Sequence, residues 1–161
     1  MIDRNFKPLI RAGVFLGIGM GGFFDGILFH QILQLHAMLT ARLPKTTVEN
    51  VSVNMFWDGM FHALTWTMTL AGLVLLWRAV TRHRVHLSTK CYIGSMFLGW
   101  GLFNLVEGII DHHILHLHHV VESLGVSVFD YAFLASGIIL IGVGWSMVKV
   151  SKKAAAQTQP A

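Results

Sequence analysis

Phe97–Val120 reads FLGWGLFNLVEGIIDHHILHLHHV, an apolar run that passes directly into five histidines and contains two carboxylates, Glu107 and Asp111. Phe15–Met38, FLGIGMGGFFDGILFHQILQLHAM, aligns on it without gaps, and eleven of the 24 positions are identical. The identities include the Phe-Leu-Gly-x-Gly opening, Gly26/Gly108, His30/His112 and His36/His118, while Asp25 stands opposite Glu107. A repeat of this length, apolar first and polar last, predicts two equivalent helices that cross hydrocarbon and present their polar ends on one side.

The rest of the chain agrees with that reading. Of 161 residues, 54% are hydrophobic and 12% charged, with a mean hydropathy of +0.61, whereas soluble domains carry about 25% charged residues. The apolar runs predict helices over approximately 10–39, 54–79, 90–119 and 127–150. The second helices repeat more weakly: Phe56-Trp57-Asp58 and Phe61 fall on Val128-Phe129-Asp130 and Phe133, and Gly72 falls on Gly144. The expected fold class is therefore all-α integral membrane, a four-helix transmembrane bundle built from a duplicated helix hairpin with halves 10–80 and 90–150. Hairpins of the same orientation imply a pseudo-twofold axis along the membrane normal.

Charge sets the orientation. Ten of the twelve Lys and Arg residues lie near the two termini or in the loop between the halves, and only Arg42 and Lys45 lie elsewhere. The positive-inside rule then puts both termini in the cytoplasm. The basic net charge is a topology signal, and no nucleic-acid partner is expected. The apolar run after Arg4, Lys7 and Arg11 belongs to the repeat, so it is read as a membrane helix and not as a signal peptide. A single cysteine, Cys91, excludes an intramolecular disulfide and thiolate-based metal sites.

Eight of the ten histidines gather at the non-cytoplasmic end, and His83 and His86 are read as solvated in the cytoplasmic loop. His112 and His116 stand at i, i+4, as do Asp58 and His62, the spacing that places two ligands on one helix face. Helical phase puts Gly19, Gly22, Gly26 and His30 on one arc, and Gly101, Asn104, Gly108 and His112 on its equivalent. His30 and His112 are therefore expected to face each other across a close-packed seam. The candidate metal ligands are His30, Asp58, His62, His112 and His116. Asp25, Glu107, Asp111, Asp130, His36, His118 and His119 are supporting candidates, because a carboxylate near an imidazole orients it through its second nitrogen. Asp25 and His36, or Glu107 and His118, are eleven residues apart, about 16 Å along an unbroken helix. They are accordingly assigned to a deeper and an outer layer. Met38, Met55 and Met60 could offer thioethers to Cu(I) but also serve as core filler.

The motifs DGxxxHQxLQxH, from Asp25 to His36, and EGxxDHHxLxxHH, from Glu107 to His119, resemble a family of small bacterial predicted integral membrane proteins that carries an uncharacterised-domain label. The resemblance spans about Ala12 to Lys149. It implies four helices in the bacterial cytoplasmic (inner) membrane, and it brings no activity with it.

The residues themselves suggest a His/carboxylate transition-metal site, with copper, iron or zinc as the ion, serving metal handling or metal-centred redox chemistry. Catalysis is left open. Competing readings are a haem held by His30 and His112 and a proton or cation pathway through the Asp/Glu/His set. Expected partners are the lipid bilayer and respiratory or metal-handling membrane proteins, with oligomerisation open.

Overall fold

In the computed structural model, which describes residues 5–81 and 85–157, four long helices make up most of the described residues. They are α1 (Lys7–Ile32), α2 (Val48–Val80), α3 (Thr89–Ile114) and α4 (Val128–Gln157), each long and apolar enough to cross a membrane. Their starts follow local chemistry. Pro8 opens α1, where its missing N–H costs nothing. The Thr47 and Ser88 hydroxyls cap α2 and α3 by accepting from the amides of Asn50 and Cys91, and Asp130 Oδ2 accepts from the Ser127 amide at the head of α4. With 33 residues, α2 is about 50 Å long at 1.5 Å per residue, so it extends well beyond the hydrocarbon.

The α1 and α3 helices form the central pair. Helix α2 packs on α1 and α4 on α3, while α2 and α4 make no contact among the described residues. Glycine permits the central crossing: a Cβ on Gly17 would collide with the Met96 carbonyl, and a Cβ on Gly99 with the Val14 carbonyl. These contacts are reciprocal, because Val14 and Met96 occupy the same repeat position. The seam predicted from Gly19, Gly22 and Gly26 lies elsewhere. Those glycines face Thr65, Thr69 and His62 of α2, and Gly101 and Gly108 face α4. The polar and glycine arc thus closes each hairpin, and Gly13, Gly17 and Gly99 join the two hairpins.

The decisive departure from the sequence reading is at the ends of α1 and α3. Over Gly26–Ile32 and Gly108–Ile114 both helices widen into π-helix; Leu33 and Leu115 donate to the carbonyls of Leu28 and Ile110, five residues back. Both then stop, at Ile32 and Ile114 instead of near residues 39 and 119. Gln34 and His116, at equivalent positions, adopt φ of 51° and 48°, a left-handed conformation that non-glycine residues rarely take. The chain folds back on itself there. The two returning segments then bond across the halves, with the Ala41 amide donating to Leu117 and the Glu122 amide to Leu35.

Candidate metal centre

The fold-back brings His36 and His118 inward. Expected in an outer layer, both are instead buried at the centre of the polar end, and His118 Nε2 lies 3.1 Å from Glu107 Oε1. The 16 Å separation fails because the helix between them is not continuous.

Four imidazoles form the cluster. Ring centroids lie 4.3 Å apart for His30 and His36, 4.6 Å for His36 and His118, and 4.8 Å for His112 and His118. Three rings are hydrogen-bonded from outside through Nδ1, and His112 has a carboxylate oxygen near its Nδ1 without a hydrogen bond. His36 donates to the Val120 carbonyl at 3.0 Å, and His118 to the Met38 carbonyl at 3.1 Å. His30 Nδ1 is 2.9 Å from Asp58 Oδ1, and His112 Nδ1 is 3.0 Å from Asp130 Oδ1. Phe61 stacks on His30 and Phe133 on His112 at 5.6 and 5.4 Å, which fixes the ring planes. The residues around Nδ1 and the stacked phenylalanines correspond between the halves, although only His30 makes a hydrogen bond to its carboxylate.

A carbonyl only accepts, so Nδ1 of His36 and His118 carries the proton and the neutral ring turns its Nε2 lone pair inward. His36 Nε2 is buried with no hydrogen-bond partner. The other three face carboxylate oxygens: His30 Nε2 lies 3.2 Å from Asp25 Oδ2, His118 Nε2 3.1 Å from Glu107 Oε1, and His112 Nε2 3.6 Å from the same oxygen. A lone pair against a carboxylate repels, so each of these contacts calls for a second proton or a shared cation. The donor atoms of His30, His36 and His118 lie within 4.8 Å of one another, and so do those of Glu107, His112 and His118. Burial pushes the His36 imidazole down to about 2, with His118 and His30 adding to the effect. For His118 burial also acts downward, but the Glu107 hydrogen bond and charge outweigh it and hold the ring above its ordinary value.

The structure redistributes the sequence-based candidates. Asp58 is not at the centre: its Oδ1 accepts from the Met38 amide at 2.8 Å and meets His30 Nδ1. Asp130 does the same for Val120 and His112. These two carboxylates orient the imidazoles, while Asp25 and Glu107, expected to support from below, lie against the inward nitrogens. His62 stands apart, its Nδ1 bonded to the Asp58 carbonyl of its own helix and its ring against Gly26. His116 is exposed beyond the end of α3, because the π-turn removes the i, i+4 face it was to share with His112. His119 is buried beside Asp130 at 3.6 Å, and half-buried Asp111 accepts the Leu117 amide through its backbone carbonyl. His30 and His112 do not oppose each other directly, since His36 and His118 each stand within 6.4 Å of both. Met55 and Met60 are exposed and remote from ligand duty. His86 packs edge-on against Phe6 at 4.8 Å and is not freely solvated, and His83 lies outside the described residues.

One signal could have found the four clustered imidazoles. His30/His112 and His36/His118 are the histidine pairs identical in both halves, whereas His62 is matched by Leu134 and His116 by Gln34.

Four apolar spans around a buried histidine and carboxylate cluster define an α-helical integral membrane protein that sits in a lipid bilayer. The chain belongs to the family described as predicted membrane protein (DUF2243), whose model matches residues 12–151. No curated protein and no solved structure matches it.

Proposed function

We propose that this protein is a membrane-embedded metalloprotein that holds a transition-metal ion through Nε2 of His30, His36, His112 and His118, with Asp25 and Glu107 as oxygen ligands. The observation that carries the reading is the gathering of the four rings: an oxygen stands within 3.1 Å of each Nδ1 on the outer side, and the rings with Glu107 form two overlapping donor groups that share His118. A carboxylate or carbonyl behind a ligating imidazole fixes its tautomer and raises its basicity. Nitrogen and oxygen donors without thiolate suit iron, zinc or Cu(II). Enclosure of the donors favours chemistry or electron transfer at a resident ion over handing the ion to a partner. The charge bias supports a site at the periplasmic end of a bacterial inner-membrane protein with cytoplasmic termini.

The haem reading is disfavoured by the rings of His36 and His118, which fill the space a porphyrin would need between His30 and His112. A metal-free imidazolium and carboxylate network is the specific competitor, because protons would relieve the same contacts. Elemental analysis of untagged protein purified in detergent separates the two. A stoichiometric ion that is lost in His36→Ala supports the metal centre, and metal-free protein with unchanged folding refutes it.

A further inference from the structure

A cavity of about 510 Å³ lies among α1, α3 and α4 and reaches the cluster from the side. Phe24, Phe29, Phe97, Trp100, Phe129 and Phe133 line it. Phe24 and Phe129 are each 46% exposed on the flank of the helices, so the opening faces lipid. The inner wall is formed by groups that also hold the cluster. Asp25 contacts His30, Phe133 stacks on His112, and the Val120 carbonyl accepts from His36.

One polar group in this wall has no partner. Ser136 Oγ donates to the Phe133 carbonyl at 2.6 Å and accepts from Asn104 Nδ2 at 2.8 Å. That chain fixes which end of the amide is nitrogen. Asn104 Oδ1 is then a buried acceptor with nothing to accept from, in a residue only 5% exposed, and a buried acceptor without a partner is destabilising. Asp25 Oδ2, on the same cavity, lies 3.2 Å from His30 Nε2 and belongs to the cluster. The repeat did not supply the amide, since Asn104 stands where the first half has Gly22. An apolar, aromatic-walled space of this size with a few convergent polar atoms is the usual form of a small-molecule site.

We propose that this cavity binds a membrane-dissolved amphiphile whose head is a hydroxyl-bearing aromatic ring, the hydroxyl donating to Asn104 Oδ1 and the ring stacking between the aromatic walls beside the metal centre. The unpartnered Asn104 Oδ1 selects a donor, the ring of aromatic side chains selects a flat head, and the lipid-facing mouth leaves room for an alkyl tail. The pocket deepens the metalloprotein reading by naming the substrate class for that centre.

The test uses the full chain in lipid nanodiscs, titrated with 4-octylphenol and, in parallel, with its methyl ether, which keeps size and apolarity but has no donor. Trp100 fluorescence, taken as the difference from Trp100→Phe, reports occupancy, and metal content is measured on every sample. The expected result is saturable phenol binding, with the ether at least tenfold weaker. Asn104→Leu should bring the phenol down to the ether with metal content unchanged, and Ala132→Phe, which fills the mouth, should abolish both signals. A response that only tracks partitioning into lipid, equal binding of phenol and ether, or an unaffected Asn104→Leu overturns the proposal. Equal binding of 1-undecanol overturns the aromatic head. Saturable phenol binding to protein that never holds a metal leaves the pocket standing and removes the metal centre, whereas a metal-loaded protein with no saturable signal removes the pocket alone.

Discussion

His36 and His118 stack nearly parallel, with ring centroids 4.6 Å apart and planes inclined by 13°, and each donates from Nδ1 to a backbone carbonyl of the opposite half. The contact is therefore both a join between the two hairpins and the core of the candidate centre. Neither imidazole can move without releasing a carbonyl of the other half.

From that join follows the first prediction. His36→Ala and His118→Ala should each lower bound metal at least tenfold, as should His30→Ala and His112→Ala. His62→Ala and His116→Ala should leave it unchanged, because those rings do not reach the centre. Metal to protein ratios on size-selected, folded material decide the matter, and loss of metal in His62→Ala would place the centre elsewhere.

Asp58 and Asp130 hold His30 and His112 from behind. Asp58→Asn and Asp130→Asn keep an oxygen for the Met38 and Val120 amides but weaken the grip on the rings. Affinity should fall by roughly 10- to 100-fold, the range seen when groups behind metal ligands are altered. Competition against a chelator of known affinity measures the change.

Acid should destabilise the metal-free protein through His36. Its folded value, about 2, lies far below that of an unfolded histidine, so the unfolded chain alone takes up a proton there. The contribution is complete above about pH 6.5 and declines below it, by up to about 1.4 kcal/mol per pH unit for one such group. His118 is shifted the other way, and its contribution is complete below pH 6.5 and declines above it. Unfolding midpoints of chelator-treated protein between pH 6.5 and 5 should slope less in His36→Gln than in the parent.

Gly17 and Gly99 set the approach of α1 to α3. A Cβ at either meets backbone carbonyl, which cannot rotate away, so Gly17→Val or Gly99→Val should cost about 3 kcal/mol, the upper end for overpacking. Gly59→Ala and Gly142→Ala meet nothing and should be tolerated. Thermal stability in detergent gives the comparison.

Orientation requires introduced cysteines, because Cys91 is fully buried and shielded from reagents. In a Cys91→Ser background, exposed Thr81→Cys should react with an impermeant thiol reagent only in inverted membranes. Val48→Cys, exposed at the opposite end of α2, should react only in intact cells. The reverse pattern would put the cluster on the cytoplasmic side.

The sequence by itself determined the spans, the repeat and the end at which the polar residues gather. Those properties are written in local hydropathy and in the correspondence of Phe15–Met38 with Phe97–Val120, which a linear reading detects. It also carried the cluster in another form, as the histidine pairs His30/His112 and His36/His118 common to both halves. Only the tertiary structure decided which side chains meet. An ideal α-helix carried through residues 26–36 and 108–118 keeps His36 away from Asp25 and aligns His116 with His112. The π-turns end both helices early, and Gln34 and His116 enter the left-handed region. What stabilises that path is distant in sequence: the Val120 and Met38 carbonyls that accept from His36 and His118, and the amides of Ala41 and Glu122 that bond the opposite half. A local pattern cannot reveal a fold-back whose hydrogen-bond partners lie about eighty residues away, and so the central imidazoles were legible as histidines but not as neighbours.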